Sequence, residues 1–75
     1  MIWDKKLIAI DESPLKYQRL KEGFSQVELA QVSDIALRCI KEYEQKPNKI
    51  NKAQAITLYK LAKTLNCKIE QLLIL

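Results

Sequence analysis

The apolar residues of this chain recur at helical spacing, in blocks that short polar breaks separate. The first block opens at Ser13 and Pro14, because a serine can cap a helix and a proline fits its first position. We expect this helix to bury Leu15 and Leu20. It should end at Gly23, the only glycine, because a left-handed residue often closes a helix.

Residues 25–44 predict two short helices with a three-residue turn between them. Ser25 and Glu28 have the spacing of a capping box, in which the serine side chain accepts from a helical N–H and the glutamate reaches back to the cap. The first helix covers about residues 26–32, and the second covers about residues 37–45.

The apolar residues of these two helices suit a steep crossing. The second helix turns Ile40 and Tyr43 inward, and the small side chain of Ala30 allows the two backbones to approach closely. The first helix presents four apolar residues to its neighbours: Val27, Leu29, Ala30 and Val32. This layout is typical of a helix-turn-helix motif that reads DNA.

The rest of the chain predicts a loop and two more helices. Residues 46–50 form the loop, since Pro47 cannot continue a helix, and Asn51 can cap the helix that follows. That helix buries a stripe of residues, and a last short helix adds three more: Ala55, Leu58, Leu61, Ala62 and Leu65, then Ile69, Leu72 and Leu73. Five helices with short connections predict a compact all-α domain over residues 13–75.

Residues 1–12 precede this domain as an N-terminal extension. Trp3, Leu7 and Ile10 share one helical face, whereas residues 7–10 could equally form a short strand. The extension can pack back on the domain or meet a partner. Its apolar run is too short for a signal peptide or a membrane span, so we expect a cytoplasmic protein without a membrane contact.

Composition narrows the class of protein further. Seventy-five residues, 48% of them hydrophobic and 29% charged, make one ordinary globular domain. With no histidine and two cysteines, the chain cannot build a four-ligand zinc site from thiolates and imidazoles, and we expect no metal and no cofactor. It also has no glycine-rich phosphate loop and no nucleophile beside a base, so we expect no enzyme. Cys39 and Cys67 should be reduced, partly buried thiols, and a redox switch at Cys39 is the alternative.

Positive charge concentrates in the second helix of the motif and in the loop after it. The whole chain carries +4, and residues 36–52 carry +3, from five cationic side chains against Glu42 and Glu44. A phosphate backbone would lie against such a surface. The alternative is a solvated loop that is rich in lysine.

On a helical wheel, the outward arc of this recognition helix, about residues 36–45, can face a major groove. Arg38 can donate two parallel hydrogen bonds to guanine N7 and O6, with a phosphate contact or a solvated arginine as its alternative. Leu37 can contact a thymine methyl. Glu42 can accept from cytosine N4, or it can repel DNA and so tune specificity. Lys41 lies on the same arc as these base-reading candidates, and both Lys41 and Gln45 suit the DNA backbone.

Residues 25–44 read SQxELAxxSxIxxRxIxxYE, and this motif closely resembles the helix-turn-helix of phage-repressor and Cro-like regulators, the XRE family. The resemblance continues through LKYQRLKEGF at residues 15–24 and AITLYKLAKTLNCKIEQLL at residues 55–73. It implies a five-helix, lambda-repressor-like DNA-binding domain.

The resemblance also implies roles for individual residues. Gln26 would bind a phosphate at the start of its helix. Arg19 and Glu44 would form a buried ion pair that joins the first helix to the third. Further phosphate or minor-groove contacts would come from Lys46, Lys49, Asn51 and Lys52. Members of the family commonly dimerise, so we expect a homodimer with two recognition helices about 34 Å apart on double-stranded DNA.

Three positions depart from the family pattern. Asp34 stands where a turn glycine is usual, although aspartate tolerates the left-handed conformation better than most residues. Ala36 stands where a serine, threonine or asparagine usually caps the recognition helix, a loss of about 1 kcal/mol. Lys46 replaces a usual glycine. These departures spare the fold but reduce the expected DNA affinity.

Two functions fit these observations. The first is sequence-specific binding of double-stranded DNA by a small transcriptional regulator, acting as a repressor that occupies an operator. The second is an antitoxin or another interaction module, which would bind a partner protein such as a toxin through residues 1–12. The second rests on analogy between folds.

Overall fold

The computed structural model describes residues 13–74, which fold into four α-helices and two short 3₁₀ helices. In chain order they are α1 (Pro14–Lys21), α2 (Gln26–Ser33), α3 (Leu37–Gln45), the first 3₁₀ helix (Pro47–Lys52), α4 (Ala55–Thr64) and the second 3₁₀ helix (Ile69–Gln71). Residues 13–74 contain no strand. The all-α prediction is therefore confirmed, and the last of the five predicted helices is a 3₁₀ helix.

The predictions for the N-terminal extension lie outside the described residues. They concern the apolar face of Trp3, Leu7 and Ile10 and the contact of residues 1–12 with a partner protein.

Local chemistry fixes the first turns of α1 and α2, as expected. Ser13 Oγ accepts from the Lys16 N–H at 2.8 Å. Ser25 and Glu28 form a complete capping box, with hydrogen bonds of 3.0 and 2.9 Å. Gly23, just after α1, has a left-handed φ of 81°. Both helices thus begin with partners for N–H groups that the helical pattern leaves unpaired.

The turn between α2 and α3 is closed by a left-handed aspartate. Asp34 has φ 62° and ψ 39°, and its N–H donates to the Ala30 carbonyl. Aspartate therefore fills the glycine position of the turn, as expected. Its carboxylate lies 3.5 Å from Lys60 Nζ on α4. Ala36 is the N-cap of α3 and makes no hydrogen bond through its side chain, so the expected loss of a cap is also confirmed.

One hydrophobic core lies between the helices. Its buried members are Leu15, Leu29, Ile40, Ile50, Leu58, Leu61, Ala62, Leu65 and Leu72. The prediction of a loop at residues 46–50 is wrong, because residues 47–50 belong to the first 3₁₀ helix and Lys46 is its N-cap. Pro47 fits the first helical position, and the turn after it carries Ile50 into the core. The buried Ile50 therefore anchors the segment after α3 to the core.

Several residues predicted to face inward are exposed instead: Leu20, Val27, Val32 and Ala55. Leu20, 57% exposed, lies about 140° around α1 from the buried Leu15, so both cannot face the core. In α2 the buried stripe consists of Leu29 and Ser33, whose hydroxyl donates to the Leu29 carbonyl at 2.6 Å. Ala55 occupies the first turn of α4, before the helix enters the core.

The prediction that Asn51 caps α4 is also wrong. The N-cap of α4 is Gln54, which makes no capping hydrogen bond through its side chain. Asn51 lies earlier, inside the first 3₁₀ helix, and its side chain bonds to the main chain of Ile74.

Cys39 and Cys67 are free and partly buried, as expected. Burial raises the pKa of the Cys67 thiol, which keeps it protonated.

Within residues 13–74, every helix is too short or too polar to cross a membrane. The same described residues contain no cluster of three or more potential metal ligands.

The conformation of Asp34 predicts different effects for two substitutions. Asp34→Gly removes Cβ from a left-handed residue and should leave the free energy of unfolding unchanged or raise it. Asp34→Ala keeps Cβ and should be about 1 kcal/mol less stable than the glycine variant. Neither variant can pair with Lys60, so the difference between them reports the backbone conformation. Urea denaturation measures it, and equal stability of the two variants would contradict the left-handed turn.

Candidate nucleic-acid interface

The outward arc of α3 is a polar surface with a shallow depression. α3 turns Ile40 into the core and packs the partly buried Tyr43 against it. An open depression of about 500 Å³ is lined by Arg38, Cys39, Lys41, Glu42, Gln45 and Lys46. The structure thus brings together five of the residues predicted to contact DNA. Leu37 is partly buried at the start of α3 and does not line the depression.

The phenol of Tyr43 lies on the inward side of α3, partly buried. Burial raises the pKa of Tyr43, and the neighbouring Cys39 and Glu42 raise it further. Tyr43 therefore stays neutral at ordinary pH and packs against the core, as expected.

A buried carboxylate joins α3 to α1 and α2. Glu44 accepts from Arg19 Nε at 2.7 Å and from Nη2 at 3.1 Å, so the ion pair implied by the resemblance is present. The two side chains are 8% and 6% exposed. Gln26, the first residue of α2, donates through Nε2 to Glu44 Oε1 at 3.0 Å. Arg19 Nη1 donates to the Phe24 carbonyl at 2.8 Å, which fixes the segment between α1 and α2.

The hydrogen bond from Gln26 to Glu44 was not predicted from the sequence. The two residues are 18 positions apart, and no helical spacing relates side chains on different helices. An amide nitrogen carries two hydrogens, so Gln26 can donate to Glu44 and still donate once more. The phosphate contact of Gln26 stays a prediction.

The first 3₁₀ helix sets further cations beside α3. Lys49 Nζ lies 3.3 Å from Glu42 Oε2, and both side chains are about half exposed. Lys46 and Lys52 are also exposed. The Asn51 amide donates to the Ile74 carbonyl at 2.7 Å and accepts from the Ile74 N–H at 2.8 Å. The lysines are therefore the exposed cationic groups of this segment, whereas the exposed Asn51 side chain is hydrogen-bonded to Ile74.

A family model described as helix-turn-helix matches residues 15–72, which is most of the chain and nearly all of the described elements. The chain belongs to the helix-turn-helix family. Within it, the protein is a DNA-binding regulator of the XRE type. Searches among curated proteins and among solved structures found no significant match.

Because of the hydrogen bonds at Glu44, the stability of this regulator should depend strongly on each buried charge of the pair. Arg19→Met leaves the Glu44 carboxylate buried with only Gln26 as a partner, and should lower the free energy of unfolding by about 3 kcal/mol. Exchanging both partners, in Arg19→Met with Glu44→Leu, should restore much of that stability. Urea denaturation measures all variants.

Lys49→Met is the matched control, because it breaks an ion pair to the same helix that water already screens. Its effect should stay below about 1 kcal/mol. A destabilisation in Arg19→Met no larger than that of this control would show that the buried pair does not hold α3.

Proposed function

We propose that this protein is a sequence-specific repressor that occupies an operator, with α3 in the major groove of double-stranded DNA. The observation that carries the proposal is the arc of Arg38, Lys41, Glu42 and Gln45, which lies exposed on α3. A helix presented in this way fits the width of the major groove. The proposal includes no catalytic role and no cofactor.

Arg38 is the proposed reader of a guanine. Its guanidinium is exposed and has no ion pair among the described residues. Two parallel N–H groups match guanine N7 and O6. Leu37, partly buried at the start of α3, would supply a thymine-methyl contact, and Lys41 would reach a neighbouring base or phosphate.

Glu42 is the proposed acceptor for cytosine N4. A carboxylate near DNA is repelled by phosphates, but Lys49 lies 3.3 Å from this one and offsets its charge. Glu42 can therefore approach a base while the surface around it stays positive.

The DNA backbone would be held from two sides of α3. On one side lies Gln26 at the first position of α2, where helical N–H groups favour an anion. On the other side the contacts would come from Gln45, Lys46, Lys49 and Lys52. Phosphate contacts of this kind set the register of α3 in the groove without reading the sequence.

A homodimer is the proposed binding form. Two copies of α3 set about 34 Å apart would reach successive major grooves on one face of the duplex. The operator would then be a palindrome, and a dimer bound there would block access to a promoter.

Selection from random-sequence duplexes with the purified protein tests this function. We expect an enriched palindrome with a guanine in each half-site. Arg38→Ala should lose the preference for that guanine, at a cost of about 1–3 kcal/mol on the selected site. Arg38→Lys keeps the charge but lacks the rigid pair of parallel donors, so it should weaken the same preference less than Arg38→Ala does.

Lys63→Ala is the control, because it removes one charge from α4, where Lys63 lies 5.8 Å from the Tyr59 ring centre. It should leave the selected motif unchanged. Failure to enrich any motif, with binding that disappears by physiological salt, would contradict the proposed function.

A further inference from the structure

We propose that Asn51 is a positioning residue: its amide, clamped on the main chain of Ile74, holds the first 3₁₀ helix so that Lys49 and Lys52 face the DNA backbone. This inference rests on the proposed function. It assigns Asn51 an indirect role in place of a direct contact with phosphate.

The clamp consists of two hydrogen bonds between one side chain and one residue. Asn51 Nδ2 donates to the Ile74 carbonyl at 2.7 Å, and the Ile74 N–H donates to Asn51 Oδ1 at 2.8 Å. Both lengths lie at the short end of the usual range for such bonds. One amide therefore satisfies both polar main-chain groups of Ile74, as a neighbouring strand would.

An asparagine suits this place for a chemical reason. Its side chain carries an acceptor and a donor on one planar group, as a peptide bond does. An aspartate offers two acceptors when ionised, so it would meet the Ile74 carbonyl without a proton to donate. An alanine offers neither group, and both polar groups of Ile74 would be left without this partner.

The clamp ties the 3₁₀ helix to a fixed part of the fold. Leu72 is fully buried, two residues before Ile74, so the segment that holds Asn51 is anchored in the core. On the other side of Asn51, Ile50 is 1% exposed. The chain from Ile50 to Asn51 is thus held by a buried side chain and by two directed hydrogen bonds.

The direction of the lysines depends on both restraints. A 3₁₀ helix has weaker hydrogen-bond geometry than an α-helix, so side chains largely set its orientation. Lys49 and Lys52 lie on either side of the clamp in sequence, and Lys49 reaches back to Glu42 on α3. Releasing Asn51 would leave Ile50 as the main anchor, and the two lysines would no longer have a fixed position beside α3.

Two independent changes act on the clamp without altering any charge, one on both hydrogen bonds and the other on one of them. Asn51→Ala removes the side chain, and Asn48→Ala is its control, because Asn48 is an exposed asparagine of the same 3₁₀ helix. Ile74→Pro removes the N–H that donates to Asn51, and Ile74→Val, which keeps that N–H, is its control.

The readout is the affinity for the selected duplex measured over a range of salt concentrations. The slope of log affinity against log salt becomes shallower by about 0.9 for each phosphate that the protein no longer neutralises. Asn51→Ala should weaken binding about tenfold at low salt and make this slope shallower by about 1 to 2. Ile74→Pro, which leaves the bond from Asn51 Nδ2 in place, should change affinity and slope in the same direction by a smaller amount. The double variant should bind no more weakly than Asn51→Ala, and the two controls should match the parent.

The possible results separate the alternatives. If Asn51→Ala weakens binding and Ile74→Pro does not, Asn51 contacts phosphate directly and the inference is overturned. If both weaken binding with an unchanged slope, the clamp serves stability alone, which is again contrary to the inference, and urea denaturation would show the matching destabilisation. A parent protein that binds no duplex specifically would instead contradict the proposed function.

Discussion

The placement of α3 depends on one buried carboxylate, that of Glu44. It accepts from Arg19 of α1 and from Gln26 of α2, so three helices meet at two oxygen atoms. Each of these helices sends one fully buried apolar side chain into the core, which restrains its position more than its rotation. The two parallel bonds of the guanidinium restrain that rotation. Since desolvation offsets much of the Coulomb attraction, the pair contributes direction more than net stability.

Two exposed carboxylates near α3 are each paired with a lysine, which keeps the outward surface positive. Glu42 lies beside Lys49, and Asp34, whose side chain is 92% exposed, lies beside Lys60. Such exposed pairs contribute little to the free energy of unfolding. They affect the electrostatic potential of the surface instead, because each lysine offsets a carboxylate that would otherwise repel phosphate. The turn can thus use an aspartate in place of a glycine without leaving an unpaired negative charge beside α3.

The sequence predicts those parts of the fold that neighbouring residues decide. The cap at Ser25 and the left-handed turn at Asp34 follow from local chemistry, and the outward arc of α3 follows from the helical period. Inward-facing residues are harder to predict, because apolar character alone does not show which residues of a short helix face the core, and Leu20 lies about 140° around α1 from the buried Leu15. The bonds between Asn51 and Ile74 join residues 23 positions apart, so only the folded chain reveals them. The ion pair beneath α3 was expected from the family resemblance alone.

If the Glu44 network presents the arc of α3 to DNA, binding should change the surroundings of that arc first. Amide chemical shifts recorded by NMR during titration with the selected duplex measure those changes residue by residue. The largest changes should fall in α3, in the first turn of α2 and in the first 3₁₀ helix. Changes around Tyr59 on α4, which packs against α2, should be small. The largest changes on α4, or changes spread evenly over the described residues, would show that DNA does not bind this arc.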